Sequence, residues 1–264
     1  MRPAFLLLTL LLAACQAAPP VPPRPEPPIP YPASARERLL RFALSEWQDW
    51  GCVTRGLPGE PNAPCGRPYR LDANPEGLPD NFPRVLAYWR AVPDGAGAIA
   101  RNRALLRAGA AHVWEDPFWS AAFISWLMAA AGIDSAEFRP DASHARYLDH
   151  LDAVAAAWPQ LAPFAILDPG TAPVEPGDLL CRDRSPRPLA RWSDRAQERG
   201  QFRPMHCDLV VTVSPGVIEL IGGNVSDAVT LNRIPATADG TPAEPWLALV
   251  KNRLPWPVNR TAAR

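Results

Sequence analysis

The sequence predicts an α+β chain, and three observations carry that reading. Apolar residues recur at helical spacing through the first half. A nearly all-apolar helix follows Asp116-Pro117. From Pro176 onward, short runs rich in β-branched residues are separated by turn residues. Helices come first and strands later, which separates α+β from an alternating α/β chain.

Arg2 precedes an apolar run from Phe5 to Leu12, and Ala13 and Ala14 are small residues suited to cleavage. The run is shorter than the roughly 20 apolar residues that span a bilayer. Residues 1–14 therefore read as a signal peptide. Leu12-Ala13-Ala14-Cys15 resembles the lipobox of bacterial lipoproteins, in which the cysteine is lipidated and becomes the new N-terminus. The resemblance implies multiple acylation at Cys15, and more than one chain is what stable anchoring requires. Gln16, rather than Asp, follows the cysteine, which in lipoproteins implies the outer membrane, with the chain facing the periplasm.

Residues 15–33 form the expected tether. Prolines dominate from Pro19 to Pro32. Proline fixes φ and removes the amide donor, so an extended spacer without packed structure is expected. It would reach about 43 Å as polyproline II.

The elements of residues 34–264, read as a single α+β domain, follow in order. Ser34-Ala35-Arg36-Glu37 fits a capping box, and Leu39, Leu40, Ala43, Leu44, Trp47 and Trp50 then repeat at helical spacing up to Gly51. Residues 52–79 carry Gly, Pro and Asn without periodicity and read as loop. A helix is predicted from Asn81 or Pro83 to Ala91, and another from Ile99 to Ala108. Asp116 can cap the next helix, with Pro117 at its first position, and Phe118–Ala131 should be buried because it is apolar on nearly every side. A further helix is expected from Ala142 to Ala157. Pro176-Gly177-Asp178 then turns into a strand at Leu179–Cys181, with Asp178 stabilising the turn. A polar, arginine-rich stretch covers Arg182–Arg203. His206–Val213 is a strand with Val217–Ile221 as its hairpin partner, Gly222-Gly223-Asn224 closes that partner, Val229–Ile234 adds another strand, and Trp246–Leu254 is a closing amphipathic segment.

Composition narrows the function classes. Lys and Arg total 27 against 27 Asp and Glu, so no net charge points to a nucleic-acid partner. Lys251 is the single lysine. Ten tryptophans are many for this length and fit either core packing or a binding surface. Cys15 aside, Cys52, Cys65, Cys181 and Cys207 form an even set in an oxidising compartment, which favours disulfides. Three pairings exist. Cys52 with Cys65 would close a turn-rich loop, and Cys181 with Cys207 would join two strands. No Cys-x-x-Cys pair or suitably spaced His cluster supports a metal. Phosphate-loop, dinucleotide, paired-carboxylate and His-x-x-x-His signatures are missing too, so neither metal nor cofactor is expected.

One constellation carries chemistry. Trp119-Ser120-Ala121-Ala122-Phe123-Ile124-Ser125-Trp126, then Pro176-Gly177-Asp178-Leu179-Leu180, then Met205-His206-Cys207-Asp208, then Ile221-Gly222-Gly223-Asn224 resembles the papain-like cell-wall amidases of the CHAP type. The resemblance covers roughly residues 112–235 and implies a papain-like module with N-terminal helices packed against a small antiparallel sheet or partial barrel. Carried over by position, it implies Ser120 as nucleophile, His206 as base and Asn224 as the residue that orients His206. The chain resembles more closely still an uncharacterised bacterial family, domain of unknown function 2272, with this serine-containing motif.

A nucleophile on the first turn of a helix feels the positive end of the macrodipole, and free N–H groups there can stabilise an oxyanion. The departure is the nucleophile itself: serine stands where the amidases have cysteine, and a serine hydroxyl needs a base to remove its proton during attack. Two readings follow. The first is an envelope-anchored hydrolase of amide or ester bonds in cell-wall material. The second is a catalytically inactive binding or scaffolding lipoprotein that keeps the cleft, with peptidoglycan or an envelope protein as partner.

Further residues have two readings each. His144 and Tyr147, three apart on one helical face near Ser143 and His150, either line the cleft or satisfy local hydrogen bonds. Asp208 faces either solvent or the site. Glu115 and Asp116 are candidate acids.

Overall fold

A computed structural model of the chain describes residues 23–60, 75–109, 114 and 117–256. Within these residues the helices are α1 (Ser34–Asp49), α2 (Phe82–Arg90), α3 (Gly95–Arg107), α4 (Ser120–Ala130) and α5 (His144–Ala157). The strands are β1 (Thr54–Arg55), β2 (Phe164–Leu167), β3 (Leu179–Asp183), β4 (Met205–Ser214), β5 (Val217–Val225), β6 (Ala228–Pro235) and β7 (Ala248–Asn252). Short 3₁₀ turns occupy Pro75–Gly77 and Trp192–Glu198. No helix among the described residues is long and apolar enough to cross a membrane.

The seven strands form one sheet in the order β1-β6-β5-β4-β3-β7-β2. The chain is α+β, as expected; the sheet is open, larger than the small antiparallel sheet expected, and mixed, because β1 runs parallel to β6. β1 and β2 are too short to show a period. The segment around Trp246–Leu254, expected to be amphipathic, supplies β7, which lies between β3 and β2 with Ala248, Leu249 and Val250 fully buried. β3 and β4 pair with Cys181 opposite Cys207, and these two are joined by a disulfide, as their placement on neighbouring strands predicts. Cys52 is disulfide-bonded; its expected partner Cys65 lies outside the described residues.

Strand alternation gives the sheet two apolar faces. Leu179, Leu209, Ile221, Val229 and Val250 join the helix-side core, while Leu180, Val210, Ile218, Leu220 and Leu249 form a second core on the opposite face with Val174 and Trp246. On the helix side, α4 packs against α1, α2, β4 and β5, and α5 packs against β2 and β4. Trp50, Trp89, Trp114 and Trp119 are buried in this core, so packing is the main use of the tryptophans.

Two helix starts differ from the sequence pattern. The capping box at Ser34 does not form: Ser34 is the first helical residue, its Oγ accepts from Arg38 Nη1 at 2.7 Å, and Glu37 pairs instead with Arg41. Helix α4 begins at Ser120 rather than Phe118, because Trp119 is tied into the core before the helix starts. Asp116 lies outside the described residues.

The proline-rich segment is also corrected over its described part. The Arg24 guanidinium covers the Trp158 ring at 3.9 Å, Trp158 Nε1 donates to the Pro25 carbonyl at 3.0 Å, and the Ile29 amide donates to Glu137 Oε1 at 2.6 Å. Tyr31 donates to Glu137 and accepts from the Asp134 amide. Polyproline backbone leaves its carbonyls and amides free, and here the folded domain engages the Pro25 carbonyl and the Ile29 amide. Residues 24–31 are a strap along the domain, not a free spacer.

Gly223 lies where β5 crosses α4, and a Cβ added there would stand 2.6 Å from Phe123 Cβ. Both elements are buried, so neither can move freely. Gly223→Ala should destabilise the protein by about 1–3 kcal/mol, the usual range for overpacking a core. Urea unfolding will show this as a lower midpoint at unchanged slope.

Candidate active site

Ser120 opens α4 at the floor of a cavity of about 540 Å³. Its Oγ is 2.7 Å from His144 Nε2, and His144 Nδ1 is 2.6 Å from the Tyr147 hydroxyl. His144 opens α5, and the three-residue spacing places Tyr147 on the same helical face. When Ser120 donates to Nε2, the imidazole proton sits on Nδ1 and is donated to the Tyr147 oxygen. The hydroxyl, the ring and the phenol thus form one largely buried chain of hydrogen bonds that meets the cavity at Ser120 and His144.

The electrostatics suit a base. Burial, helped by the neighbouring His206 and Arg184, holds His144 well below the ordinary histidine value of 6.5, so the ring is neutral at neutral pH. Burial and the Asp208 carboxylate push Tyr147 well above its usual range, so it stays a protonated phenol.

His206 occupies the opposite wall. Its ring centroid is 5.5 Å from that of His144, in an edge-on arrangement. No hydrogen bond joins it to Ser120 among the described residues; instead its Nε2 meets Asp208 Oδ1 at 2.8 Å. His206 and Asp208 are two apart on β4 and so share a face. Gly222 on β5 leaves the room they need, since a Cβ there would stand 1.7 Å from Asp208 Oδ1.

Asn224 lines the same cavity at the end of β5, with φ at 56°. Its Nδ2 donates to Glu76 Oε2 at 3.2 Å, and among the described residues it makes no hydrogen bond to His206. The same Glu76 oxygen accepts from Trp119 Nε1 at 2.5 Å, and Trp119 stacks on Trp50 with ring centroids 5.4 Å apart. Glu76 therefore fixes the residue before the candidate nucleophile and the end of β5 together.

The structure thus brings Ser120, His206 and Asn224 to one cavity but links Ser120 to His144. The pairing on one face of His144 and Tyr147 was visible in the sequence; that α5 returns over the start of α4 was not. Glu76 stands in a stretch without periodicity and gave no signal. Asp208 faces His206 and lines a smaller neighbouring cavity rather than the one at Ser120. His150 Nε2 donates to the Ala136 carbonyl at 2.8 Å, outside the Ser120–His144–Tyr147 chain. Glu115 lies outside the described residues, and no group of three or more metal-ligating side chains occurs among those that are described.

The backbone at the start of α4 adds a further element. The first helical hydrogen bond is Phe123 N–H to Trp119 O, which leaves the N–H groups of Ser120, Ala121 and Ala122 without an intrahelical acceptor. Donors at a helix start are suited to a developing oxyanion beside Ser120.

The family model described as "Uncharacterized protein conserved in bacteria (DUF2272)" matches residues 81–260. The chain belongs to this family. The matched span holds Ser120, His144, Tyr147, His206 and Asn224, and stops short of α1, Trp50 and Glu76. No curated protein and no solved structure matches the chain.

His144 has a lowered folded-state pKa, so the unfolded chain takes up its proton first as pH falls. The stability that depends on a neutral His144 is complete above the unfolded value of 6.5 and is lost as pH drops below it. The slope from this residue is at most about 1.4 kcal/mol per pH unit. Unfolding free energies measured between pH 7.5 and 5 should therefore fall, and His144→Gln should flatten the curve. An NMR titration placing His144 at or above its ordinary value would contradict the neutral-base assignment.

Proposed function

We propose that this protein is an envelope-anchored serine hydrolase of acyl bonds, amide or ester, with Ser120 as nucleophile and His144 as general base. The Ser120–His144 hydrogen bond of 2.7 Å inside a cavity carries this reading. The hydroxyl is barely ionised on its own, so the base must be neutral and already in contact, and His144 meets both conditions.

In the proposed reaction His144 takes the Ser120 proton as Oγ attacks the substrate carbonyl. The oxyanion forms beside the free N–H groups at the start of α4. His144 then protonates the leaving amine or alcohol, and the acyl-serine is hydrolysed by water that gives its proton to His144. Tyr147 holds the ring in the required tautomer. The role of base that the resemblance implied for His206 passes to His144 in this reading. His206, held by Asp208, is a second proton carrier on the cavity wall. Asn224 acts through Glu76 on the position of Trp119.

A buried helix that begins with the nucleophile and packs on antiparallel strands supports kinship with the papain-like CHAP-type amidases, and with it a substrate in cell-wall material. The Leu12-Ala13-Ala14-Cys15 sequence supports lipidation at Cys15 and, with Gln16, a place at the outer membrane facing the periplasm. If the strap from Arg24 stays docked, residues 15–23 would allow a reach of about 28 Å from the anchor. One observation favours the second reading, a binding or scaffolding lipoprotein: serine stands at the position where the amidases carry cysteine.

A fluorophosphonate probe separates the two. The purified protein should be labelled at Ser120, Ser120→Ala should be blank, and His144→Ala should slow labelling roughly 100- to 10,000-fold, more than His206→Ala does. Equal labelling of Ser120→Ala would sink the hydrolase reading, and binding of wall fragments without label or turnover would establish the alternative. Separately, Cys15→Ser should abolish incorporation of labelled palmitate and release the protein from membranes.

A further inference from the structure

The cavity at Ser120 carries charge of one sign. Its charged walls are Arg184 and Arg203 beside His144 and His206, and no carboxylate lines it among the described residues. The two arginines are not equivalent. Arg203 is neutralised by Glu198 and by Asp183, the latter at 2.7 Å. The side chain of Arg184 makes no ion pair or hydrogen bond among the described residues, although its backbone is pinned by the bond from its N–H to the Pro204 carbonyl. Its neighbour Arg182 is committed elsewhere, to Glu244 at 2.7 Å and to the face of Trp246. Arg184 and His206 also border a second cavity of about 240 Å³.

The rim of the Ser120 cavity is apolar. Phe118 and Phe202 line it and are 72% and 67% exposed, the two most exposed large apolar side chains among the described residues. Phe118 lies two residues before Ser120, and Phe202 precedes Arg203. Two exposed phenyl rings beside a cavity that also presents an exposed guanidinium, free of protein partners among the described residues, give the site an apolar rim and one cationic group, the kind of lining a small-molecule site uses.

From these features we propose that the substrate carries a carboxylate close to the scissile carbonyl, held by Arg184, with an apolar portion seated between Phe118 and Phe202. A guanidinium offers two parallel donors to a carboxylate, and such a charged contact near the reacting bond orients the substrate as well as binding it. Cationic substrates are disfavoured by the same charge. The proposal rests on the hydrolase reading for its catalytic consequence, but not for the binding it asserts.

The experiment has two arms. In the first, turnover of mono-p-nitrophenyl glutarate is compared with that of p-nitrophenyl valerate, an ester of similar length without the carboxylate. The wild-type protein should favour the glutarate ester by about tenfold or more in kcat/KM, the scale expected for one charged hydrogen-bonded contact. Arg184→Gln should bring that ratio close to one, Arg184→Lys should restore part of it, and Arg191→Gln, outside the cavity, should leave it as in the wild type. In the second arm, binding of free glutarate is measured by calorimetry to the Ser120→Ala variant with and without Arg184→Gln. Loss of affinity by about tenfold on removing the guanidinium supports the proposal even if neither ester is turned over. A preference for the neutral ester, a ratio unchanged in Arg184→Gln, or glutarate affinity independent of Arg184 would overturn it. Failure of both esters with glutarate binding intact would instead count against the hydrolase reading alone.

Discussion

Helix α4 has almost no face to give to water, and the structure around the site follows from that. Ser120 to Ser125, Leu127 and Met128 are all buried, so the fold must cover the helix on every side. Helices α1 and α2 close one flank and strands β4 and β5 the other. Covering a helix with a sheet at this distance leaves no room for a side chain at the crossing, which is why Gly223 sits over Phe123. Its neighbour Gly222 points the other way along the pleat and clears space for Asp208 and His206. Two adjacent glycines thus serve two separate demands, one of packing and one of the site. Neither demand can be relaxed without moving the strand that carries Asn224.

The same burial decides which chemistry is open to Ser120. A cysteine at a helix start could ionise with help from the dipole and a charged partner. Serine cannot, and a charged partner would be of no use as a base. The histidine it touches is kept neutral first by its own burial, and His206 and Arg184 beside it act in the same direction. An environment that would hinder a thiolate–imidazolium pair therefore favours a hydroxyl with a neutral imidazole. Serine at this position is consistent with its surroundings and does not by itself mark a lost activity.

Much of this was legible in the sequence, and the rest was not for identifiable reasons. The helical period from Leu39 to Trp50, the apolar run after Trp119 and the hairpin after His206 each span enough residues to show their period, and each element formed. Cys181 and Cys207 could be paired because their strands were visible. β1 and β2, of two and four residues, exist only through their partners β6 and β7, so no local pattern could announce them. The site was legible as a set of residues but not as a set of bonds. Ser120, His206 and Asn224 do meet at one cavity, yet the hydroxyl turns to His144 because α5 returns across the start of α4. Glu76 lies further still from recognition: a single carboxylate in an aperiodic stretch acquires its place only when Trp119 and Asn224 arrive beside it.

Glu76 also bears on where this domain begins. The family match starts at residue 81, but the site leans on what precedes it. Trp50 stacks on Trp119, which Glu76 holds through its indole. Arg36, buried in α1, donates to the carbonyls of Pro176 and Asn252 and so ties the entry to β3 and the end of β7 to the first helix. Asp178 reinforces that junction by accepting from the Asn252 and Glu175 amides and from Lys251. A chain starting at residue 81 would leave the Pro176 and Asn252 carbonyls without Arg36, and would expose the indole that sets the start of α4. Buried acceptors left without donors cost about 1–3 kcal/mol each. In this chain the matched span therefore draws part of its stability from α1, Trp50 and Glu76, and the strap at residues 24–31 adds further contacts toward the N-terminus.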